Sequence, residues 1–130
     1  MAERRIPIKV EGLGHGANPI PLAVKVGGSL ISSALNGMDR AQHRVPESYE
    51  DQVENLFANI QAVLDAAGAT PEQIVDVEVF LAPGLDRSVI NGPWVKMFPD
   101  PDDRPVRHTV VLPAANPGVH IQLKFTAHLG

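Results

Sequence analysis

Residues 74–81 alternate in polarity, with Val75, Val77, Val79 and Leu81 on one face. Residues 119–127 do the same, with Val119, Ile121, Leu123 and Phe125 inward and His120, Gln122, Lys124 and Thr126 on the other side. A period of two is that of a strand whose faces meet different surroundings, so both stretches predict half-buried strands. Between 48 and 68 the period changes. Val53, Leu56, Phe57, Ile60, Val63 and Leu64 recur at helical spacing and form one apolar stripe. Ser48 supplies the N-cap, Glu47, Glu50 and Asp51 suit the positive end, and Gly68 stops the helix.

Shorter signals fill in the rest. Residues 6–10 predict a strand that Pro7 keeps to an edge or bulge. Residues 22–26 and 29–35 flank Gly27-Gly28, the chemistry of a two-residue hairpin. Thr70-Pro71-Glu72-Gln73 predicts a single capped helical turn. Asp86 caps a second helix running to Phe98, in which Pro93 demands a kink or a late start. Val106, Thr109, Val110 and Val111 predict a strand whose expected core face is Val106, His108, Val110 and Leu112. Arg107, Thr109 and Val111 then fall on the opposite face.

This order predicts one α+β domain over residues 1–130, two layers deep, with both helices on one face of the sheet. The other face is expected to carry Arg107, Thr109, Gln122 and Lys124 beside Phe80 and Val111. Such a mixture suits neither plain solvent nor plain core; an oligomer interface containing a polar pocket accounts for it.

Composition narrows the chemistry. The chain has 130 residues, 44% of them hydrophobic, enough for a core without staples. It has no cysteine, which excludes disulfides and thiolate chemistry. No signal-peptide core and no run near a membrane span's length is present, so a cytoplasmic protein with no membrane partner is expected. The net charge of −4 argues against a nucleic-acid partner. Gly12, Gly14 and Gly16 do not make a phosphate loop, because Pro19 and Pro21 follow where a helix should open. The histidines are scattered without ligand spacing, so neither a metal nor a cofactor is expected. Trp94 is expected in the core. Arg107 is the chemically pointed residue: a permanent cation in mid-strand needs an anion, either a carboxylate of the protein or one belonging to a bound molecule.

Several pieces in order then carry a resemblance: the hairpin ending in Ser32-Ser33, Leu64-Asp65-Ala66-Ala67-Gly68 at the helix end, and the strand over 75–81. Asn91 ahead of Trp94, Pro105-Val106-Arg107 and Leu112-Pro113 complete it. Together they resemble the Rid family, also called the YjgF or endoribonuclease L-PSP family. The resemblance implies a chorismate-mutase-like fold with a mixed β-sheet, a trimeric barrel with clefts between subunits, and hydrolysis of reactive imines and enamines to keto acids and ammonia. It implies that Arg107 holds the substrate carboxylate, that Ser33 and the backbone at Ala34 line the imine, and that Asn91 belongs to the pocket. At three positions the chain departs from the family. Ile20 stands where a tyrosine is usual, Gln122 where a glutamate positions water, and Thr109 where a cysteine is usual. An amide orients water but takes no proton. His120, two residues from Gln122, is the best candidate for a substitute proton carrier, against the plainer reading of an exposed or interface histidine, and is counted in the expected catalytic set with Arg107 and Gln122. Relatives that deaminate 2-aminomuconate-type dicarboxylates set a specialised alternative, with Lys124 or His120 meeting a second carboxylate. A non-catalytic trimer binding keto acids or proteins is the other alternative. Endoribonuclease activity, reported for some relatives, fits poorly with the acidic charge.

Overall fold

The computed structural model describes residues 4–113 and 116–130. The elements are β1 (Ile6–Ile8), β2 (Ala23–Val26), β3 (Ser29–Ser32), β4 (Leu35–Asn36), α1 (Tyr49–Ala67), β5 (Ile74–Leu81), α2 (Asn91–Met97), β6 (Val106–Val111) and β7 (Ile121–His128). They form one sheet in the order β1-β2-β3-β7-β5-β6, with β4 also paired to β7. All pairings are antiparallel except β5 with β6, so the sheet is mixed. The parallel pair is joined by the crossover through a 3₁₀ turn (Arg87–Ile90) and α2, as parallel neighbours require.

The long helix starts and stops where its caps dictate. Ser48 Oγ accepts from Asp51 N at 3.0 Å, and Gly68 takes a left-handed φ of 70° that closes the C-terminus. Lys25 of β2 adds a cation at that negative end, donating to the Ala67 carbonyl at 3.0 Å. The expected stripe of α1 is buried, and with Leu30, Val79, Leu81, Leu123 and Phe125 it makes the core on one sheet face. Leu56 is fully buried there, so Leu56→Ala would cost about 2–5 kcal/mol in lost transfer energy and cavity. Trp94 and Met97 of α2, with Phe98 at its C-cap, line the same core space as Val77 and Leu123, so both helices cover one face. Pro93 is the third residue of α2, where no amide has an intrahelical partner, so the helix starts late and does not kink.

Three strand expectations are corrected. In β5 a register shift between Ile74 and Asp76 turns Val75 out, and Ile74 takes its place in the core. The strand expected over 29–35 breaks at Ser33-Ala34. It resumes as β4, and Ser32 Oγ fills the interrupted ladder by accepting from Phe125 N at 2.8 Å. The faces of β6 are the reverse of those expected. Arg107 pairs with Val77 and Thr109 with Val79, so both lie on the helix face, whereas Val106 and His108 are exposed on the open one. β6 is an edge strand with no fully buried residue on either side, and alternation alone could not assign its faces. Gln122, Lys124 and Phe80 do lie on the open face: Gln122 and Phe80 are in line with Val110, Lys124 with His108, and Thr126 on the same face with Ile31.

Candidate functional site

The first cluster is built on β6 and α2. Arg107 reaches from the sheet edge onto the helix layer, where its guanidinium carbon sits 4.8 Å from the Trp94 ring centroid. Trp94 is in the core as expected, packed edge-on to Phe98 at 4.7 Å, and its ring is also the arginine's platform. Nη2 of Arg107 donates to Asn91 Oδ1 at 3.0 Å, which brings two expected site residues together. Half-buried Thr109 follows on the same face. Nη1 is buried with no hydrogen-bond partner.

No carboxylate among the described residues answers this charge. Among the described residues the ion pair formed within 4.0 Å is Lys124–Glu78, at 3.7 Å on the open face, and Arg107 has none. Burial pushes the guanidinium pKa down, while nearby Tyr49 raises it. The Tyr49 hydroxyl donates to the Asp86 carbonyl at 2.9 Å; burial first, then Asp86 and Glu50, push its pKa up, against Arg107.

The second cluster is built on the break between β3 and β4. Ser33 N donates to Leu22 O at 2.9 Å, and Ser33 Oγ donates to the same carbonyl at 3.1 Å. His15, from the glycine-flanked N-terminal loop, places Nε2 3.1 Å from the Ala34 carbonyl and 3.1 Å from Ser33 Oγ. Two adjoining clefts of about 210 Å³ each share Ala34, Asn116 and Gln122 as walls. His15, Asn18, Asn36 and Asn59 line one; Phe80, Leu112 and His120 line the other. Each is below the few hundred Å³ usual for a complete ligand pocket.

Two buried amides hold these walls. Asn59 Nδ2 donates to Asn36 O at 2.9 Å and to Met38 O at 3.0 Å. Gln52 Nε2 donates to Pro46 O at 2.8 Å and Gly118 O at 2.7 Å, and its Oε1 accepts from His120 N at 2.8 Å. The His120 ring does not stand free beside Gln122. It precedes β7, its Nε2 donates to Glu47 O at 3.1 Å, and it lies edge-on to Tyr49 at 6.5 Å. Ile20 is 49% exposed in the N-terminal loop and lines neither cleft.

The expected residues therefore form two groups: Arg107, Asn91 and Thr109, and separately Ser33, Ala34, Gln122 and His120. Gln122 pairs with Phe80 of β5, and Phe80 with Val110 of β6, three residues along from Arg107. Two inter-strand steps of about 4.8 Å and three residues of about 3.3 Å put their Cα atoms roughly 14 Å apart, on opposite faces. His15, Gln52, Asn59 and Tyr49 were not singled out as site residues from the sequence. The polar helix positions sit within or beside the apolar stripe, the one signal that a periodic reading offers; His15 lies in an aperiodic loop. Among the described residues no group of three or more His, Asp or Glu side chains could hold a metal ion, and no helix is long and apolar enough to cross a membrane.

The chain is similar to known proteins along nearly its whole length. The family model described as Endoribonuclease L-PSP matches residues 17–129. The chain is 30% identical over 126 residues to the mitochondrial protein mmf2 of Schizosaccharomyces pombe, covering 95% of this chain and 97% of that one. It is 31% identical over 114 residues to a 2-iminobutanoate/2-iminopropanoate deaminase of Dermatophagoides farinae, covering 85% and 84%. Among solved structures, RidA from an Antarctic Psychrobacter superposes with a TM-score of 0.85 at 27% identity, covering 95% of this chain and 99% of that one.

Proposed function

The chain belongs to the endoribonuclease L-PSP family, also called the Rid family, and on that premise we propose that it hydrolyses a carboxylate-bearing imine or enamine to a keto acid and ammonia. One observation carries the reading. Arg107 is a half-buried cation with a buried, unpartnered Nη1 and, among the described residues, no carboxylate within 4.0 Å. A substrate carboxylate meets that fork with two parallel charge-assisted hydrogen bonds and satisfies the orphaned donor. Asn91 and Trp94 fix the fork without neutralising it. The adjacent C=N is then held in one orientation for attack.

Water adds to the C=N carbon; the carbinolamine collapses as its C–N bond breaks, ammonia leaves and the hydroxyl oxygen becomes the keto oxygen. An enamine first takes a proton on carbon to become the imine. In this reading Gln122 orients the water through its amide. His120, the carrier expected from the strand pattern, has Nε2 tied to the Glu47 carbonyl and only Nδ1 to exchange a proton.

A small imino acid cannot span roughly 14 Å within one chain. The reading therefore includes a homotrimer in which Arg107, Asn91 and Thr109 of one subunit face Ser33, Ala34 and Gln122 of the next. The open sheet face supports it, with Ile31 39% and Val106 68% exposed and Phe80 and Val110 half-buried beside them. A 2-aminomuconate-like dicarboxylate needs a second cation. Lys124 is the sequence candidate, and it is paired with Glu78.

The test generates imino acids in situ and follows keto acid release. Wild type should accelerate hydrolysis, Arg107→Ala should lose it and Gln122→Glu should raise it. No acceleration with 2-aminoacrylate, 2-iminobutanoate or an aminomuconate-like substrate sinks the deaminase reading. The second reading, a non-catalytic keto-acid binder, is favoured by an amide at Gln122. It predicts keto-acid binding that vanishes in Arg107→Ala with no turnover in wild type.

A further inference from the structure

Resting on the deaminase reading, we propose that His15 handles the proton of the hydrolysis, as a positioning residue acting through the Ser33 hydroxyl. The cleft that His15 lines is walled by uncharged groups. Its walls come from the N-terminal loop (Asn18), the β3–β4 break (Ala34), β4 (Asn36), α1 (Asn59) and β7 (Gln122), and among the described residues none of the lining side chains is charged. His15 is the one titratable group in that lining. Adding water across C=N and expelling ammonia needs a group that accepts and returns a proton, which Gln122 cannot do.

The hydrogen bonds suit that task. Nε2 of His15 is 3.1 Å from both Ala34 O and Ser33 Oγ, and Ser33 Oγ is 3.1 Å from Leu22 O. With its proton on Nε2, the imidazole holds the Ala34 carbonyl and Ser33 donates to Leu22. With the proton on Nδ1, Nε2 accepts the Ser33 proton. Both states use one ring orientation. A purely structural clamp needs only Nε2, yet Nδ1 is also buried, with no hydrogen-bond partner among the described residues. The local chain is shaped for it: Asn18 N closes a turn on His15 O at 3.1 Å, and Gly16 takes a φ of 63°, where a side chain would be strained.

The protons balance without a co-reactant. The water oxygen bonds to the iminium carbon and the π pair moves to nitrogen. One water proton passes to Ser33 Oγ as the Ser33 proton passes to Nε2. The imidazolium returns its proton by the same route to the amine nitrogen, the C–N bond breaks and ammonia leaves. The hydroxyl proton then goes to His15 as the keto C=O forms, and from there to solvent.

Two readouts test this. With 2-iminobutanoate made in situ, His15→Gln should leave KM within about twofold, because Arg107 still anchors the carboxylate, and lower kcat about 100-fold or more. The wild-type kcat–pH profile should have a rising limb, and that limb should disappear in His15→Gln. Gln122→Glu added to His15→Gln should restore turnover. An unchanged kcat and an unchanged limb in His15→Gln overturn the proposal. The second readout is independent of turnover: adding 2-oxobutanoate should move the His15 ring resonances in wild type and leave them unmoved in Arg107→Ala. If wild type makes no keto acid, the deaminase reading fails by itself. A His15 resonance that 2-oxobutanoate does not move then overturns the role of His15 too, and one that moves supports its place beside the bound ligand.

Discussion

Arg107 lies over the face of Trp94, its guanidinium carbon 4.8 Å from the ring centroid, while its Nη1 has no partner. The ring attracts the cation without neutralising it, so the fork stays available to a ligand. Trp94→Phe keeps a ring in the core but offers a weaker face. The change should weaken 2-oxobutanoate binding about 2- to 10-fold, the scale of a partly shielded cation–π contact. Calorimetric titration measures it, with thermal melting as the check on the core. An unchanged affinity would show that Trp94 serves only as packing.

Asn91 is the complementary case. Its Oδ1 accepts from Arg107 Nη2 at 3.0 Å, and a neutral amide there positions the guanidinium while leaving its charge uncompensated. Asn91→Asp introduces an anion at hydrogen-bond distance and creates the intramolecular pair that the wild type avoids. The variant should melt at or above the wild-type temperature and yet lose keto-acid binding about 10-fold or more, since the ligand must now displace a tethered carboxylate. Unimpaired binding in Asn91→Asp would mean that Arg107 is not the anchor.

Arg107 also marks where the sequence stops being legible. The long helix was readable from end to end because Ser48, the apolar stripe and Gly68 agree, and β7 because Ile121, Leu123 and Phe125 meet a continuous core. In β6 the side chains alternate equally well under either face assignment. Only the parallel pairing that sets Arg107 beside Val77 decides, and pairing is a tertiary fact. The resemblance put Arg107 and Asn91 in one site, and a hydrogen bond joins the two side chains. It gave no reason to look at His15, which reaches Ser33 and Ala34 from a loop with no period.

Gln52 should be costly to replace. It is fully buried and makes three hydrogen bonds, to Pro46 O, Gly118 O and His120 N. Gln52→Leu fills the volume but leaves two carbonyls and an amide without partners away from water. A loss of about 2–4 kcal/mol is expected, because each orphaned group carries its desolvation penalty. Urea unfolding measures it. Of the segments released, Gly118–His120 borders the cleft that contains Gln122, through Val119 and His120, so hydrogen exchange should rise there first.

Alkaline stability should depend on Tyr49. Burial, Asp86 and Glu50 raise its folded pKa above the ordinary 10.0, so the folded state keeps the hydroxyl protonated where the unfolded chain would release it. The sign follows: this contribution is fully present below the unfolded value and is lost as pH rises through the folded one. Unfolding free energy should therefore fall above about pH 10 in wild type and fall less steeply in Tyr49→Phe. Tyr49→Phe also removes the hydrogen bond to Asp86 O, so its neutral-pH stability should drop by about 0.5–1.5 kcal/mol. Parallel alkaline curves for the two proteins would remove Tyr49 as the cause.

Val106 tests the assembly. It is 68% exposed, and the pairings Ile31–Thr126–Asp76–Val106 run across the open face, linking it to a second exposed apolar residue. Within one chain Val106→Asp should be nearly neutral, within about 0.5 kcal/mol, since the side chain is already in water. In a trimer that buries the open face, it would place a charge in an apolar contact and weaken association by several kcal/mol. Sedimentation should give about three times the 14.0 kDa chain mass for wild type and a shift toward 14.0 kDa for the variant. The same shift should cost activity without loss of fold, because the Arg107 and Gln122 groups then have no second subunit to meet across. A wild type that sediments at 14.0 kDa, or a monomeric variant with full turnover, would require both groups to act within one chain, against the roughly 14 Å that the strand register puts between them.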